Sequence, residues 1–248
     1  MNTLSRKQRE ILAREKLFLK TARDLIRADG VSGLTMERIA DVTEYSKGTV
    51  YKHFTCKEDL LCALCGEALG YMLHLSSAMQ HFEGSPRERL MIVALAYQTF
   101  IEKFPEEFDL FLSARSNNIR SKASHKRLAE VDEIDSTLMA LVADQIKQAL
   151  ETGDLVLEDN LTVDDLCFGP WALSFGILSI YQGRELVRSI SLPEINESLF
   201  RHLNALLDGY QWRPLSHQHD YRNTMERAWQ QLGPFLTNWL NSEDISHV

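Results

Sequence analysis

The side chains with the clearest chemical potential lie between residues 35 and 57, where short polar residues alternate with lysines. A lysine ammonium donates to phosphate oxygens and to the O6 and N7 atoms of guanine, and hydroxyl groups also donate to phosphates. The set comprises Thr35, Ser46, Lys47, Gly48, Thr49, Tyr51, Lys52, His53 and Lys57. These residue types indicate contact with a nucleic-acid duplex.

Two short helices joined by a tight turn are needed to position this set. Thr35 stands where the N-cap of a helix over 36–42 belongs, and Ser46 stands at the start of a second helix over 46–53. In a helix-turn-helix, the second helix enters the major groove by its N-terminal residues, which must be short or must donate hydrogen bonds. Gly48 and Thr49 meet that requirement, so the sequence predicts a helix that reads DNA.

This stretch resembles the DNA-binding domain of the TetR family of bacterial regulators. The matching positions are Thr35, Ile39, Ala40, Ser46, the run 48–51, His53, Phe54, Lys57, Glu58 and Leu60. They cover about 30 residues, and the preceding helix extends the resemblance to roughly the first quarter of the chain.

Position by position, the resemblance implies two kinds of DNA contact. Phosphates would be contacted by Thr35, Tyr51, His53 and Lys57. Base edges would be approached by Lys47, Gly48 and Thr49, with Lys52 on the exposed side of the same helix. Lys57 also begins the next helix, whose first-turn amides can bind the same phosphate.

The turn between the two helices departs from the family pattern. The family usually has Ala-Gly-hydrophobic before the serine, whereas this chain has Thr43, Glu44 and Tyr45. The turn commonly needs a positive φ, which a residue with a Cβ adopts at a cost on the order of 1 kcal/mol. We therefore expect Glu44 to occupy a strained position.

Charge is divided unevenly along the chain. Residues 1–60 contain 12 Lys and Arg against 9 Asp and Glu, a net charge of +3, whereas the remainder carries −11. An acidic body repels the phosphate backbone, so we expect only the amino-terminal region to contact DNA.

Strand-like alternation is absent, and glycine and proline fall between helical segments, so the predicted fold class is all-α. We expect a three-helix helix-turn-helix domain over 1–56 and a larger helical domain for effector binding and dimerisation over 57–248. After a long fourth helix from residue 57, the predicted helices are 86–103, 105–116, 123–152, 162–185, 194–209 and 220–241.

The helix over 162–185 is apolar on nearly every side and must be covered on several of them. The helix over 194–209 carries a stripe of leucines. The family resemblance implies that these two helices form a four-helix bundle with their copies in a homodimer. Such a dimer suits a palindromic operator in double-stranded DNA.

The resemblance also implies a small-molecule effector whose binding releases DNA. Aromatic side chains and one methionine could line its pocket and favour an apolar or aromatic ligand. The candidates are Tyr97, Phe100, Phe104, Phe108, Phe111, Met139, Phe168, Trp171 and Tyr181.

A metal- or redox-responsive regulator is the alternative, because Cys56, Cys62 and Cys65 lie within ten residues. No second pair completes a tetrahedral metal site, and buried thiols also serve as small apolar residues. The pair His217 and His219 is better explained as part of a polar loop than as a chelate.

Catalysis is disfavoured, since the sequence has no Gly-rich phosphate loop, no HExxH and no nucleophile-base-acid pattern. Nothing calls for a cofactor or a resident metal. No uninterrupted apolar run approaches the ~20 residues of a membrane span, and no segment resembles a signal peptide. We therefore expect a cytoplasmic protein that does not bind membranes.

Overall fold

The computed structural model describes residues 5–158, 161–182, 191 and 193–241. These residues form eleven helices and no β-strand, which confirms the all-α prediction. The helices are α1 (Arg6–Gly33), α2 (Met36–Thr43), α3 (Lys47–His53), α4 (Lys57–Met79), α5 (Pro86–Lys103), α6 (Pro105–Ala114), α7 (Asn117–Arg120), α8 (His125–Thr152), α9 (Val163–Gln182), α10 (Ile195–Gly209) and α11 (Tyr221–Asn241).

Helix starts follow their capping residues. Ser5 and Ser85 each form a capping box, in which the serine hydroxyl accepts from the third helical amide and the side chain of that residue accepts in return. Pro86 occupies the first turn of α5, where its missing N–H costs nothing. These local signals are why the predicted helix boundaries agree closely with the observed ones.

Two details differ from the prediction. The short helix α7 lies in the segment expected to be a loop between 116 and 123. In α1, helical hydrogen bonding resumes after Gly30, although Gly30 itself has φ 70° and ψ 176° and bends the chain there. Gly30 is thus a kink within α1 and not its end. Residues 183–185 of the predicted helix over 162–185 lie outside the described residues.

The described chain divides into two compact units. The first contains residues up to 69 together with 106–134, and the second contains 70–105 and 135–241. Helices α4 and α8 therefore contribute residues to both units. The predicted domain boundary between 56 and 57 stays a prediction.

In the first unit, the core surrounds the helix-turn-helix. Its most deeply buried side chains come from α1 to α4: Phe18, Leu34, Ile39, Val50, Phe54, Leu60 and Leu64. Burial of this set fixes which face of each short helix points inward, and therefore which face is left for function.

In the second unit, α5, α8, α9 and α10 surround a core that includes Ile146, Leu203 and Trp212. Arg87 is completely buried and ties α5 to α10, donating to Asp208 Oδ1 at 2.7 Å and to Asn204 Oδ1 at 3.1 Å. Its guanidinium also lies 4.7 Å from the centre of the Tyr221 ring. These contacts hold α11 against the body of this unit.

Two described segments, Lys57–Ser77 and Val163–Tyr181, are long and apolar enough to cross a membrane by length and composition alone. Neither segment was predicted from the sequence, because both contain polar residues that interrupt the apolar run. In the first, 67% of the window is buried, as expected of a core helix. In the second, only 28% is buried, so α9 carries a large uncovered apolar surface.

Candidate nucleic-acid interface

The turn between α2 and α3 is closed by a glutamate in a left-handed conformation. Glu44 has φ 57° and ψ 26°, so it adopts the positive φ that this turn commonly needs although it is not a glycine. Its backbone N–H donates to the carbonyls of Ala40 and Asp41 at the end of α2. The turn therefore has the geometry that a glycine would adopt without strain.

Both short helices are capped at their N-termini, as predicted. Thr35 Oγ1 accepts from the amide of Arg38, and Ser46 Oγ accepts from the amide of Thr49, each at 3.2 Å. The hydroxyls of Ser46 and Thr49 also lie 2.8 Å apart. These hydroxyls stabilise the helix-turn-helix itself, in addition to any contact with DNA.

One face of α3 is exposed and carries polar and cationic groups, whereas Val50 and the adjoining Phe54 are completely buried. We call the exposed set, Lys47, Gly48, Tyr51 and Lys52, the α3 surface. A Cβ added at Gly48 would meet only Ser46 Oγ, at 3.9 Å, so the backbone there is open to a close approach.

Lys47 at the start of this surface is held only loosely. Its Nζ lies 3.5 Å from Glu37 Oε1 of α2, and its side chain is 60% exposed. An exposed pair of this kind contributes little and is easily exchanged for another anion. Glu37 was not predicted as a partner of Lys47, although both residues stand near the starts of successive helices.

Two predicted phosphate ligands point away from the α3 surface. The His53 imidazole is 7% exposed, lies 3.4 Å from Glu15 Oε2 and packs edge-on against Phe18. The Lys57 ammonium donates to the carbonyl of Val31. Their contacts with phosphates stay a prediction, and in the structure each side chain contacts α1.

The nine residues predicted to line an effector pocket do not share one environment. In the second unit Tyr97 and Phe100 are buried, and Phe104 packs 5.6 Å from Phe100. In the first unit Phe108 and Phe111 are stacked at 5.9 Å. Met139, Trp171 and Tyr181 are half-buried.

Phe168 is different, because 62% of it is exposed on α9. It continues into a row with Trp171 and Phe175, with ring centres 5.9 and 5.5 Å apart. We call this row the α9 face. Phe168 is exposed and the other two rings are half-buried, and such a row fits an interface between proteins better than a pocket for a small molecule.

A cleft of about 290 Å³ opens in the second unit where α5, α10 and α11 meet. Its walls include Met91, Phe200 and Met225, and Arg222 lies over the Phe200 ring while pairing with Glu197. It contains none of the nine predicted residues. Its lining comes from three helices far apart in the sequence, which is why no local pattern predicted it.

The cysteine cluster offers little chemistry. Cys62 and Cys65 are buried, and burial raises the pKa of the Cys62 thiol to about 11. A protonated, buried thiol is a poor nucleophile and a poor metal ligand. Among the described residues, no three His, Cys, Asp or Glu side chains are placed so that they could hold a metal ion.

The sequence itself matches a known family over the helix-turn-helix. Residues 18–64 match the family described as "Bacterial regulatory proteins, tetR family". The amino-terminal helix-turn-helix domain therefore matches the DNA-binding domain of the TetR family. This match indicates a DNA-binding transcriptional regulator rather than an enzyme.

Solved structures with the same fold include several regulators. A regulatory protein of the tetR family from Rhodococcus RHA1 has a TM-score of 0.59 and 19% identity, covering 79% of this chain and 96% of its own. The transcriptional regulator FadR from Bacillus subtilis, in complex with stearoyl-CoA, has a TM-score of 0.59 and 14% identity, with 78% and 98% covered.

A third neighbour is the ketosteroid transcriptional regulator KstR2 of Mycobacterium tuberculosis. Its TM-score is 0.53 at 18% identity, with 79% of this chain and 94% of its own covered. At these identities the likeness is one of fold. None of the curated proteins matches the sequence significantly.

Proposed function

We propose that this protein is a ligand-responsive transcriptional repressor in the cytoplasm. It binds a palindromic operator as a homodimer, reads DNA with the helix over 46–53, and releases DNA when a small apolar or aromatic effector binds. Occlusion of a promoter is the mode of action that the family resemblance implies.

The observation that carries the proposal is the α3 surface. Lys47 and Lys52 are exposed on a short helix whose other face is buried by Val50, and Gly48 allows its backbone to come close to a groove. Lys47 can donate to guanine O6 or N7, and Tyr51 can donate to a phosphate. A helix arranged in this way fits the major groove by its N-terminal end.

The α9 face supports the homodimer. Gly169 brings α9 very close to α10, since a Cβ there would collide with the Tyr210 hydroxyl, so one side of α9 is covered within the chain. Phe168 is 62% exposed, and Trp171 and Phe175 beside it are half-buried. A second copy of the same helices would bury this apolar surface by two-fold symmetry.

The proposed effector class rests on the aromatic composition of the body and on two neighbours of the same fold. One of these is a ketosteroid regulator and another was solved with stearoyl-CoA. An effector acts only through a difference in affinity between two states, and about 1–3 kcal/mol of coupling gives a 5- to 150-fold change in DNA binding.

The proposal is tested by selecting duplexes from fragments of the source genome with the purified protein. We expect enrichment of an inverted repeat, release of that duplex by one or more members of a panel of acyl-CoA thioesters, steroids and aromatic acids, and repression of a reporter placed behind it. Enrichment of no duplex would show that the proposed function is wrong. Release by zinc or an oxidant, lost on replacing Cys56, Cys62 and Cys65 by serine, would favour the alternative.

A further inference from the structure

The carboxylate of Glu15 joins two distant parts of the first unit. One of its oxygens lies 3.4 Å from His53 Nδ1 at the C-terminal end of α3. The other accepts from Arg127 Nη2 of α8 at 2.6 Å. The three residues are separated by 38 and 112 positions in the sequence, so only the fold brings them together.

Arg127 is fixed at the α8 end of this chain of contacts. Its side chain is 9% exposed, donates to Glu130 Oε2 at 2.8 Å and lies 5.1 Å from the centre of the Phe54 ring. Burial alone would lower the pKa of Arg127, but the hydrogen bonds and charges of Glu15 and Glu130 outweigh it and raise the pKa. The guanidinium is thus charged, oriented and packed beneath α3.

The segment before α8 is held against the turn between α3 and α4 by further contacts. Asp59, itself buried, accepts from the amide of Ser124 at 2.7 Å and from the hydroxyl of Thr55 at 2.7 Å. Lys122 donates to Glu58 at 3.2 Å. The start of α8 is therefore connected with the end of the recognition helix both through Arg127 and through the segment before α8.

The stability of a buried ionic contact of this kind depends on every residue that takes part in it. Removing one partner leaves the other charge buried without compensation, which is far more costly than losing an exposed pair. If the first turn of α8 moved far enough to lengthen the hydrogen bond between Arg127 and Glu15, Glu15 could no longer contact both Arg127 and His53 in their present positions.

We propose that Arg127, acting through Glu15 and His53, is a positioning residue for DNA recognition, so that the placement of the first turn of α8 sets the operator affinity of α3. The inference rests on the proposed function of α3 but goes beyond it. None of the three side chains needs to touch DNA. All three residues lie in the first unit, to which the start of α8 belongs.

The test compares the full-length protein with Arg127→Met, Glu15→Gln and the conservative Arg127→Lys. Arg120→Met is the matched control, because Arg120 pairs with Asp132 in the same unit, at a more exposed site. Two measurements are made: amide hydrogen exchange in α3 without DNA, and affinity for a selected duplex over a range of salt concentrations. Thermal melts establish that each variant is folded.

We expect Arg127→Met to speed exchange of the Phe54 amide, which donates to Val50, by about tenfold or more relative to amides of α2. Duplex affinity should fall about tenfold with an unchanged salt slope, because no phosphate contact is lost. Glu15→Gln should act in the same direction, Arg127→Lys should recover part of the loss, and Arg120→Met should change neither quantity.

Unchanged exchange in α3 for both Arg127→Met and Glu15→Gln would overturn the proposal, and so would a reduced salt slope, which would make Arg127 a direct phosphate ligand. If Arg127→Met fails to fold, Glu15→Gln alone decides by the same criteria. If the wild-type protein selects no duplex, the proposed function is wrong. The exchange measurement still decides whether Arg127, Glu15 and His53 position α3.

Discussion

At the scale of single residues, the inward or outward direction of each side chain decides what α3 can do. Val50 and Phe54 are buried, and the same helical geometry leaves Lys47, Tyr51 and Lys52 outside. This alternation and both N-caps could be predicted from the sequence, because apolar spacing and capping are local. The inward position of His53 could not, since its partner Glu15 lies 38 residues away.

Replacing Lys47 by alanine tests direct reading of bases. We expect affinity for the selected operator to fall and base preference to relax at one position per half-site, by roughly 1–3 kcal/mol, because a donor to a base edge is lost. Binding isotherms on single-base variants of the operator measure this. Lys20→Ala is the control, because Lys20 is an exposed lysine of α1 paired with Asp24. An equal loss of operator affinity in both variants would show that Lys47 contributes only general positive charge and does not read a base.

Replacing Glu44 by glycine tests backbone strain in the turn. With φ at 57°, the glutamate pays a steric cost that glycine avoids, so Glu44→Gly should raise the free energy of unfolding by about 1 kcal/mol. Urea denaturation measures the change. Glu44→Ala keeps the Cβ and should give no comparable gain. If alanine stabilised the protein as much as glycine, the charge of Glu44 and not its conformation would be the cause.

At the scale of helices, α9 illustrates how far sequence patterning reaches. Its apolar character on nearly every side predicted that it must be covered, and the structure leaves Phe168 exposed and Trp171 and Phe175 half-buried in the single chain. Which side α10 covers depends on the close approach at Gly169, a contact between helices that no periodicity encodes. For the same reason the cleft between α5, α10 and α11 was not predicted.

Replacing Phe168 by glutamate tests the proposed dimer. A charge placed in an apolar interface should weaken self-association by about 100-fold or more, giving a monomer at micromolar concentration. Sedimentation equilibrium measures the change. Leu12→Glu is the control, because Leu12 is 46% exposed on α1 and outside the α9 face. A Phe168→Glu protein that remains dimeric would place the interface elsewhere.

At the scale of the whole molecule, acidic side chains stabilise several buried connections. Burial alone would raise the pKa of Asp59 and of Glu88, but hydrogen bonds from Ser124 and Thr55 to the first, and from Thr224 and Ser85 to the second, lower both pKa values. The contacts behind these shifts span up to 136 residues. The sequence therefore indicated an acidic body without indicating which carboxylates hold it together.

Stability should consequently depend on pH in the acid range. Because the folded-state pKa values of Asp59 and Glu88 lie below the ordinary values, their contribution is present at neutral pH and is lost as pH falls below about 4.5. Urea denaturation between pH 7 and pH 3 measures this loss. Asp59→Asn should lower stability at pH 7 by about 1 kcal/mol and flatten the acid limb.

The control for the pH dependence is Glu151→Gln, because Glu151 is an exposed carboxylate of α8. It should leave both the stability at neutral pH and the acid limb unchanged. Stability that rose between pH 5 and pH 3 in the wild-type protein would contradict the assignment of Asp59 and Glu88 as stabilising carboxylates.

The central claim, that two copies of the α3 surface read duplex DNA together, is tested most directly by hydroxyl-radical footprinting on the selected duplex. We expect two protected patches related by two-fold symmetry, with their centres about 34–36 Å apart or a multiple of that spacing. Lys47→Ala should lose both patches at protein concentrations that saturate the wild-type footprint. A single asymmetric patch, or a footprint that Lys47→Ala leaves intact, would contradict it.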